Sequence, residues 1–125
     1  MIEEFIRKVI LDKRITDLVG NKIYLLKSPD NTTAPYIEYE ILSEQGSLYA
    51  ENEEVETNYS IQVDIFTKES YTEIVKNIKE VMKENGFRKE FGGSLYEDKT
   101  KLFHYILRFN YESEEWRWQE RLLQV

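Results

Sequence analysis

No cysteine occurs in the chain, which removes disulfides and thiolate zinc sites and leaves folding to side-chain packing alone, as suits a reducing compartment. Only one histidine is present, so a catalytic or metal-binding histidine cluster is excluded. Basic residues are missing from the whole stretch between Lys27 and Lys68, where acids accumulate. With a net charge of -7, the chain would repel a polyphosphate, and a role in grasping nucleic acid is disfavoured. No apolar run approaches the ~18 to 20 residues of a membrane-spanning helix. The N-terminal MIEEFIRKVI has acids directly after Met1 and alternates apolar with charged residues, so no export signal is expected and the protein should be soluble.

The hydrophobic share of 41% and aromatic share of 14% are enough for one core, and 125 residues is the usual size of one domain. Ile2, Phe5, Ile6, Val9 and Ile10 recur at helical spacing and predict an amphipathic helix. Ile15, Leu18 and Val19 continue the apolar supply up to Gly20, a residue suited to ending a helix. Lys22 to Leu26 is a short candidate strand, and Ser28 to Pro35 is rich in turn formers. From Tyr36 the alternation of Ile37, Tyr39 and Ile41 with Glu38, Glu40 and Leu42 predicts a strand. Gly46 to Glu54 shows no period and reads as a mobile acidic connection or a long hairpin tip.

Val55, Thr57, Tyr59, Ile61, Val63 and Ile65 alternate with polar residues in the longest predicted strand. Ser70-Tyr71-Thr72-Glu73 fits a capping box, and Ile74, Val75, Ile78, Val81 and Met82 form the stripe of the helix it opens. Asn85-Gly86 should end that helix. Phe87 to Tyr96 is a strand in which Gly92-Gly93 suggests a bulge or bend. Asp98-Lys99-Thr100 then makes a turn into a strand whose aromatic side is Phe103, Tyr105, Leu107, Phe109 and Tyr111. The expected fold is α+β, an antiparallel β-sheet of about four to five strands with two helices packed on one face. Residues 1–111 are expected to form the domain and 112–125 a C-terminal extension, a candidate docking tail.

Nothing in the chain spells out chemistry. The strand neighbours of His104 are Leu102 and Ile106, both apolar, so it reads as a sheet-surface histidine. Glu38 and Glu40 stand roughly 7 Å apart on one strand face, near the separation of glycosidase carboxylates, but paired acids are ordinary on exposed sheets. The run Glu51, Glu53, Glu54, Glu56 lacks the ligand pattern of a calcium loop. Gly92-Gly93 lacks the spacing, lysine and helix of a phosphate loop. We expect no catalytic activity, no cofactor and no metal.

The segment Tyr59 to Lys68, the Ser70-capped helix, Gly86-Phe87, the break at Phe91-Gly92, the turn Tyr96 to Thr100 and the strand Leu102 to Phe109 together resemble the tail-completion proteins of long-tailed bacteriophages. That family includes tail terminators and head-to-tail joining proteins, and the likeness extends upstream to Pro35-Tyr36-Ile37 and the N-terminal helix. The resemblance implies a viral structural protein that caps the tail tube or joins it to the head as a subunit of a ring, commonly a hexamer. Its implied partners are its own copies, the tail tube protein and a head-completion or connector protein. DNA would pass through the lumen without specific binding, and the implied location is the virion neck or tail end, with assembly in the host bacterial cytoplasm. The alternatives are another neck component, a tail-tube-like protein, or a small non-phage adaptor that binds a protein partner through its sheet edge. Interface candidates are Glu38, Glu40, Gln62 and Asp64 on the polar sheet face, Glu51, Glu53, Glu54 and Glu56 in the acidic stretch, and Trp116, Trp118, Leu122 and Leu123 in the extension.

Overall fold

The structure is a computed structural model that describes residues 2–50 and 53–114; Glu51 and the extension residues Trp116, Trp118, Leu122 and Leu123 lie outside them. The N-terminal apolar stripe folds as α1 (Ile2–Ile10), whose Ile2, Ile6, Val9 and Ile10 are buried. The helix does not continue to Gly20 but stops at Leu11, and α2 (Lys13–Val19) starts afresh. Asp12 causes the break: its carboxylate accepts from the Arg14 amide at 2.9 Å and so caps the new helix. Gly20, at φ 67°, ends α2 and donates its N–H to Thr16 O at 2.7 Å. The helices described therefore number three, not two, α3 being Thr72–Glu84.

Strands β1 (Ile23–Leu25), β2 (Tyr36–Ala50), β3 (Glu53–Thr67), β4 (Arg88–Glu97) and β5 (Leu102–Glu114) form one sheet in the order β1-β2-β3-β5-β4. Four of them are antiparallel as expected, but β1 runs parallel to β2, pairing Ile23 with Ile37 and Leu25 with Tyr39. The sheet is therefore mixed. The turn-rich connection after β1 is not a hairpin; with Leu26 and Asn31 at positive φ, it carries the chain back to the end of the sheet where β1 began. The class remains α+β.

Gly46 to Glu54 is not a loose connection. Gly46 pairs with Thr57, Tyr49 with Glu54 and Ala50 with Glu53, so β2 and β3 form a long hairpin. Its arms are reshaped by register shifts after Ile41 and around Leu48, which insert extra residues and reverse which side chains point to which face. The β4 strand bulges between Lys89 and Phe91 and not at its glycines. Gly92 and Gly93 serve another end: a Cβ would approach the Tyr105 hydroxyl to 3.1 Å at Gly92 and the Phe91 ring to 3.0 Å at Gly93. They leave room for aromatic rings on both faces. β5 runs on through Glu114, with Ser113 paired to Thr57, so it enters the segment assigned to the extension.

All three helices pack on one face of the sheet. Ile61, Val63 and Ile65 of β3, with Ile37 of β2 and Leu107 of β5, have no exposure and meet Ile6, Ile10, Ile15, Ile78 and Met82 from the helices. Helix α3 ends in paired bonds from Phe87 N to Met82 O and Gly86 N to Lys83 O, with Gly86 at φ 89°, which aims Phe87 into the core. There Phe87 stacks on Tyr111 and Phe5, at centroid distances of 4.6 and 5.9 Å. The start of α3 departs from a capping box. The Ser70 hydroxyl accepts from the Thr72 amide at 3.3 Å, two residues on, which is a serine turn in place of a reciprocal pair.

Outside the core, Arg14 bridges α2 and α3. It donates to Asp12 and to Glu84, the latter at 2.7 Å, while Asn77 donates to Arg14 O. The hydrogen bond from the Arg14 side chain holds both carboxyls below their ordinary range. A group with a depressed folded-state pKa adds stability above its unfolded pKa and loses it as pH falls through the folded value. We therefore expect stability to decline on acidification below the ordinary carboxylate range, and Arg14→Met to flatten that decline in melts taken across the window. Ile78→Ala, by contrast, should cost about 2–5 kcal/mol at any pH through the cavity it leaves, as read by urea unfolding.

Candidate interaction surface on the open sheet face

The alternation that buries one side of the sheet sends the intervening residues to the other, which no described helix covers. Three cross-strand rows organise this open face. Glu40, Gln62, Arg108 and Phe91 lie in register across β2, β3, β5 and β4. Glu38, Asp64, Ile106 and Gly93 form the next row, and Tyr36, Phe66, His104 and Leu95 the third.

The side chains of these rows form a continuous chain of contacts. The Arg108 guanidinium sits 5.6 Å from the Phe91 ring centroid, and its Nε donates to Gln62 Oε1 at 2.9 Å. Gln62 Nε2 donates to both carboxylate oxygens of Asp64, each at 3.1 Å. Asp64 Oδ1 in turn lies 2.7 Å from His104 Nε2, with the imidazole N–H donating to the carboxylate. The opposite ring nitrogen of His104 is 3.6 Å from Glu97 Oε1. The imidazole stacks on Phe66 at 4.2 Å, and Phe66 on Tyr36 at 4.8 Å. Asp64 is only 8% exposed, so this is a largely desolvated network and not a scatter of solvated side chains.

His104 thus has polar partners after all. They come from β3 and β4, across the sheet, where a search along its own strand finds only Leu102 and Ile106. Phe66, Tyr36 and Phe91 also belong to this face although the sequence pattern marked none of them as an interface candidate. The available signal was Phe66 itself, an aromatic at a position that the β3 alternation assigns to the polar side.

Of the interface candidates, the structure gathers Glu38, Glu40, Gln62 and Asp64 on this one face. Glu38 also tethers the chain after β1 by accepting from the Ser28 amide at 2.7 Å. That connection overhangs Tyr36 and Phe66 and encloses a cleft of about 750 Å³, with Lys27, Lys68 and Leu102 in its walls. Burial, reinforced by the charges of Glu38 and Glu97, raises the pKa of the Tyr36 phenol, while a hydrogen bond with Ser28 acts the other way. Glu56 lies farther out on the hairpin, half-buried, in register with Leu48 and Glu114. Glu53 and Glu54 are the first residues of β3, paired with Ala50 and Tyr49. Among the described residues, no three His, Asp or Glu side chains gather as a metal site. The face has mutually hydrogen-bonded polar groups in its middle, with Phe91 and Leu95 nearly half exposed, at 48% and 46%, along its β4 border.

Asp64→Ala should destabilise the domain by about 1–3 kcal/mol, because His104 and Gln62 lose the acceptor they share. Arg108→Ala, at the exposed end of the network, should cost less than about 1 kcal/mol. Urea unfolding of the two variants tests this ranking, and equal losses would contradict the central place given to Asp64.

No protein-family model and no curated protein matches the chain. Among solved structures, a chain from "Virion of native gene transfer agent (GTA) particle" shares the fold with a TM-score of 0.61 at 11% sequence identity. The similarity covers 87% of this chain and 90% of that one, so it is a likeness of the fold and not of a local motif.

Proposed function

We propose that this protein is a structural subunit of a phage-like particle, and that it forms the ring which caps the tail tube or joins it to the head. The observation that carries the proposal is the fold shared over nearly the full length of both chains with a chain of the gene transfer agent virion. The tail-completion pattern between Tyr59 and Phe109 independently suggests the same class of protein. The open face fits such a role, since its polar groups engage one another and it offers a broad surface to protein partners. We take the protein to be non-catalytic and its partners to be its own copies, the tail tube protein and a head-completion or connector protein.

Charge supports passage of DNA without capture. The hairpin formed by β2 and β3 carries Glu38, Glu40, Glu44, Glu56 and Asp64 and no Lys or Arg, and a like-charged wall discourages adhesion of a polyanion. On this reading the protein resides in the virion, at the neck or the tail end.

Deletion of the gene in a particle-producing strain should yield abnormally long tails if the ring terminates the tube. Headless tails of normal length would instead indicate another neck component. Electron microscopy separates the two outcomes. A purified protein that stays strictly monomeric and never associates with tail tubes would defeat the proposal altogether.

A further inference from the structure

The sheet has two unequal edges, and each is incomplete. At one, β1 pairs with β2 only from Ile37 to Tyr39, so among the described residues the outer edge of β2 from Glu40 to Ala50 has no strand beside it. At the other, β4 pairs with β5 alone. Edge strands usually carry protection: a charge, a proline or a bulge that discourages pairing with another chain. β4 has a bulge and charges near its start, but the stretch Phe91-Gly-Gly-Ser-Leu-Tyr96 that follows has neither charge nor proline, and Phe91, Leu95 and Tyr96 are exposed. Such a strand is built to be paired.

We propose that β4 of one copy adds, as an antiparallel strand, to the free outer length of β2 in the next copy, so that one sheet runs through successive subunits. The occupant of each edge is a second copy of this chain, an assignment that rests on the ring proposed above. Three features support it. Direction is the first. β2, β3, β5 and β4 alternate in sense, so β4 runs opposite to β2, and two copies placed side by side in the same orientation bring them together antiparallel. Such a contact uses a different surface on each partner and closes by rotation into a ring.

Offset is the second feature. The middle of β4, at Gly93, stands in the row of Ile106, Asp64 and Glu38, whereas the middle of the free β2 edge, at Gln45, stands in the row of Asn58 and Glu112. From Asp64 to Asn58 along β3 is about 20 Å at the strand rise, and the four strand spacings from one β2 to the next span about 19 Å across, since β1 and the incoming β4 lie along the same side of β2. Pairing the edges therefore steps each copy along the strands by about the width of one repeat. Continued around a ring, this step tilts the strands by about 45° from the ring axis, at the upper end of the range of closed barrels. In the centred register, Gly93 faces Gln45 and Ser94 faces Glu44. The parity agrees, because Ser94 and Glu44 both lie on the helical side, opposite Tyr105 and Tyr59, respectively.

Charge is the third. The β2 edge carries Glu40 and Glu44 and belongs to a hairpin without basic residues, whereas β4 with the turn beyond it carries Arg88, Lys89, Lys99 and Lys101 against Glu90, Glu97 and Asp98. The acidic β2 edge thus meets a segment that is not acidic overall, which favours head-to-tail contact over pairing of two β2 edges.

The absence of native cysteine makes disulfide trapping direct. A chain carrying both Glu44→Cys and Ser94→Cys should, after oxidation of the assembled protein, give a ladder of cross-linked species, and a mixture of the two single variants should give dimers only. Glu44→Cys with Tyr96→Cys tests the register two residues away. Leu95→Lys, at a side chain already exposed in the monomer, should leave the far-ultraviolet circular dichroism unchanged and abolish the ring peak in mass photometry. Rings that form but cross-link through neither pair would overturn edge pairing and leave the ring itself standing. Efficient cross-linking of Ser94→Cys alone would overturn it in favour of a two-fold β4 contact. A chain that remains monomeric throughout would defeat both proposals.

Discussion

The register of β3 is the constraint on which the rest of the structure depends. This strand lies between β2 and β5, and its Ile61, Val63 and Ile65 are wholly buried beneath the helices while Gln62 and Asp64 emerge on the opposite face. Side chains alternate with a period of two, so a slip of one residue would drive Asp64 into the aliphatic core and expose Val63. The cost of burying an unpaired carboxylate makes that slip prohibitive. With β3 held, the rows on the open face follow.

Those rows explain why this face is not an ordinary solvated one. A carboxylate as enclosed as Asp64 is tolerable only when its oxygens are engaged, and Gln62 and His104 supply those engagements from both sides. The aromatic stack of Tyr36, Phe66 and His104 fills the row beside Asp64 and holds the imidazole in place. A network of this kind holds side chains in fixed positions, which suits a surface that must present the same geometry to a partner in every copy.

On the proposed reading, the molecule acts through its surfaces and edges. The helices complete the core on one side, and among the described residues none of them covers the other side of the sheet. Among the described residues, a short β1 and an uncharged stretch of β4 leave backbone donors and acceptors along both edges. Under the proposed edge pairing, a subunit that satisfies these groups with its neighbours would couple assembly to its own completion.

Local pattern was enough to identify the strands running on from Tyr36, Val55 and Leu102, the helix ended by Gly86, and the polar set Glu38, Glu40, Gln62 and Asp64, because periodicity and caps act over a few neighbouring residues. It did not reveal that Asp12 starts a second helix, since an Asp beside apolar positions also suits a helix surface. Nor did it reveal that β1 joins in parallel, which depends on where the Leu26 to Pro35 connection leads. The glycines of β4 looked like a bend until the rings beside them were located. His104 seemed isolated for the same reason: Asp64 is 40 residues away in sequence, and only strand pairing brings the two within 2.7 Å. Periodicity along the chain settled most of the elements and which side of each is apolar. Tertiary structure alone decided which polar groups meet and which edges stay open, because both depend on contacts between segments far apart in the chain.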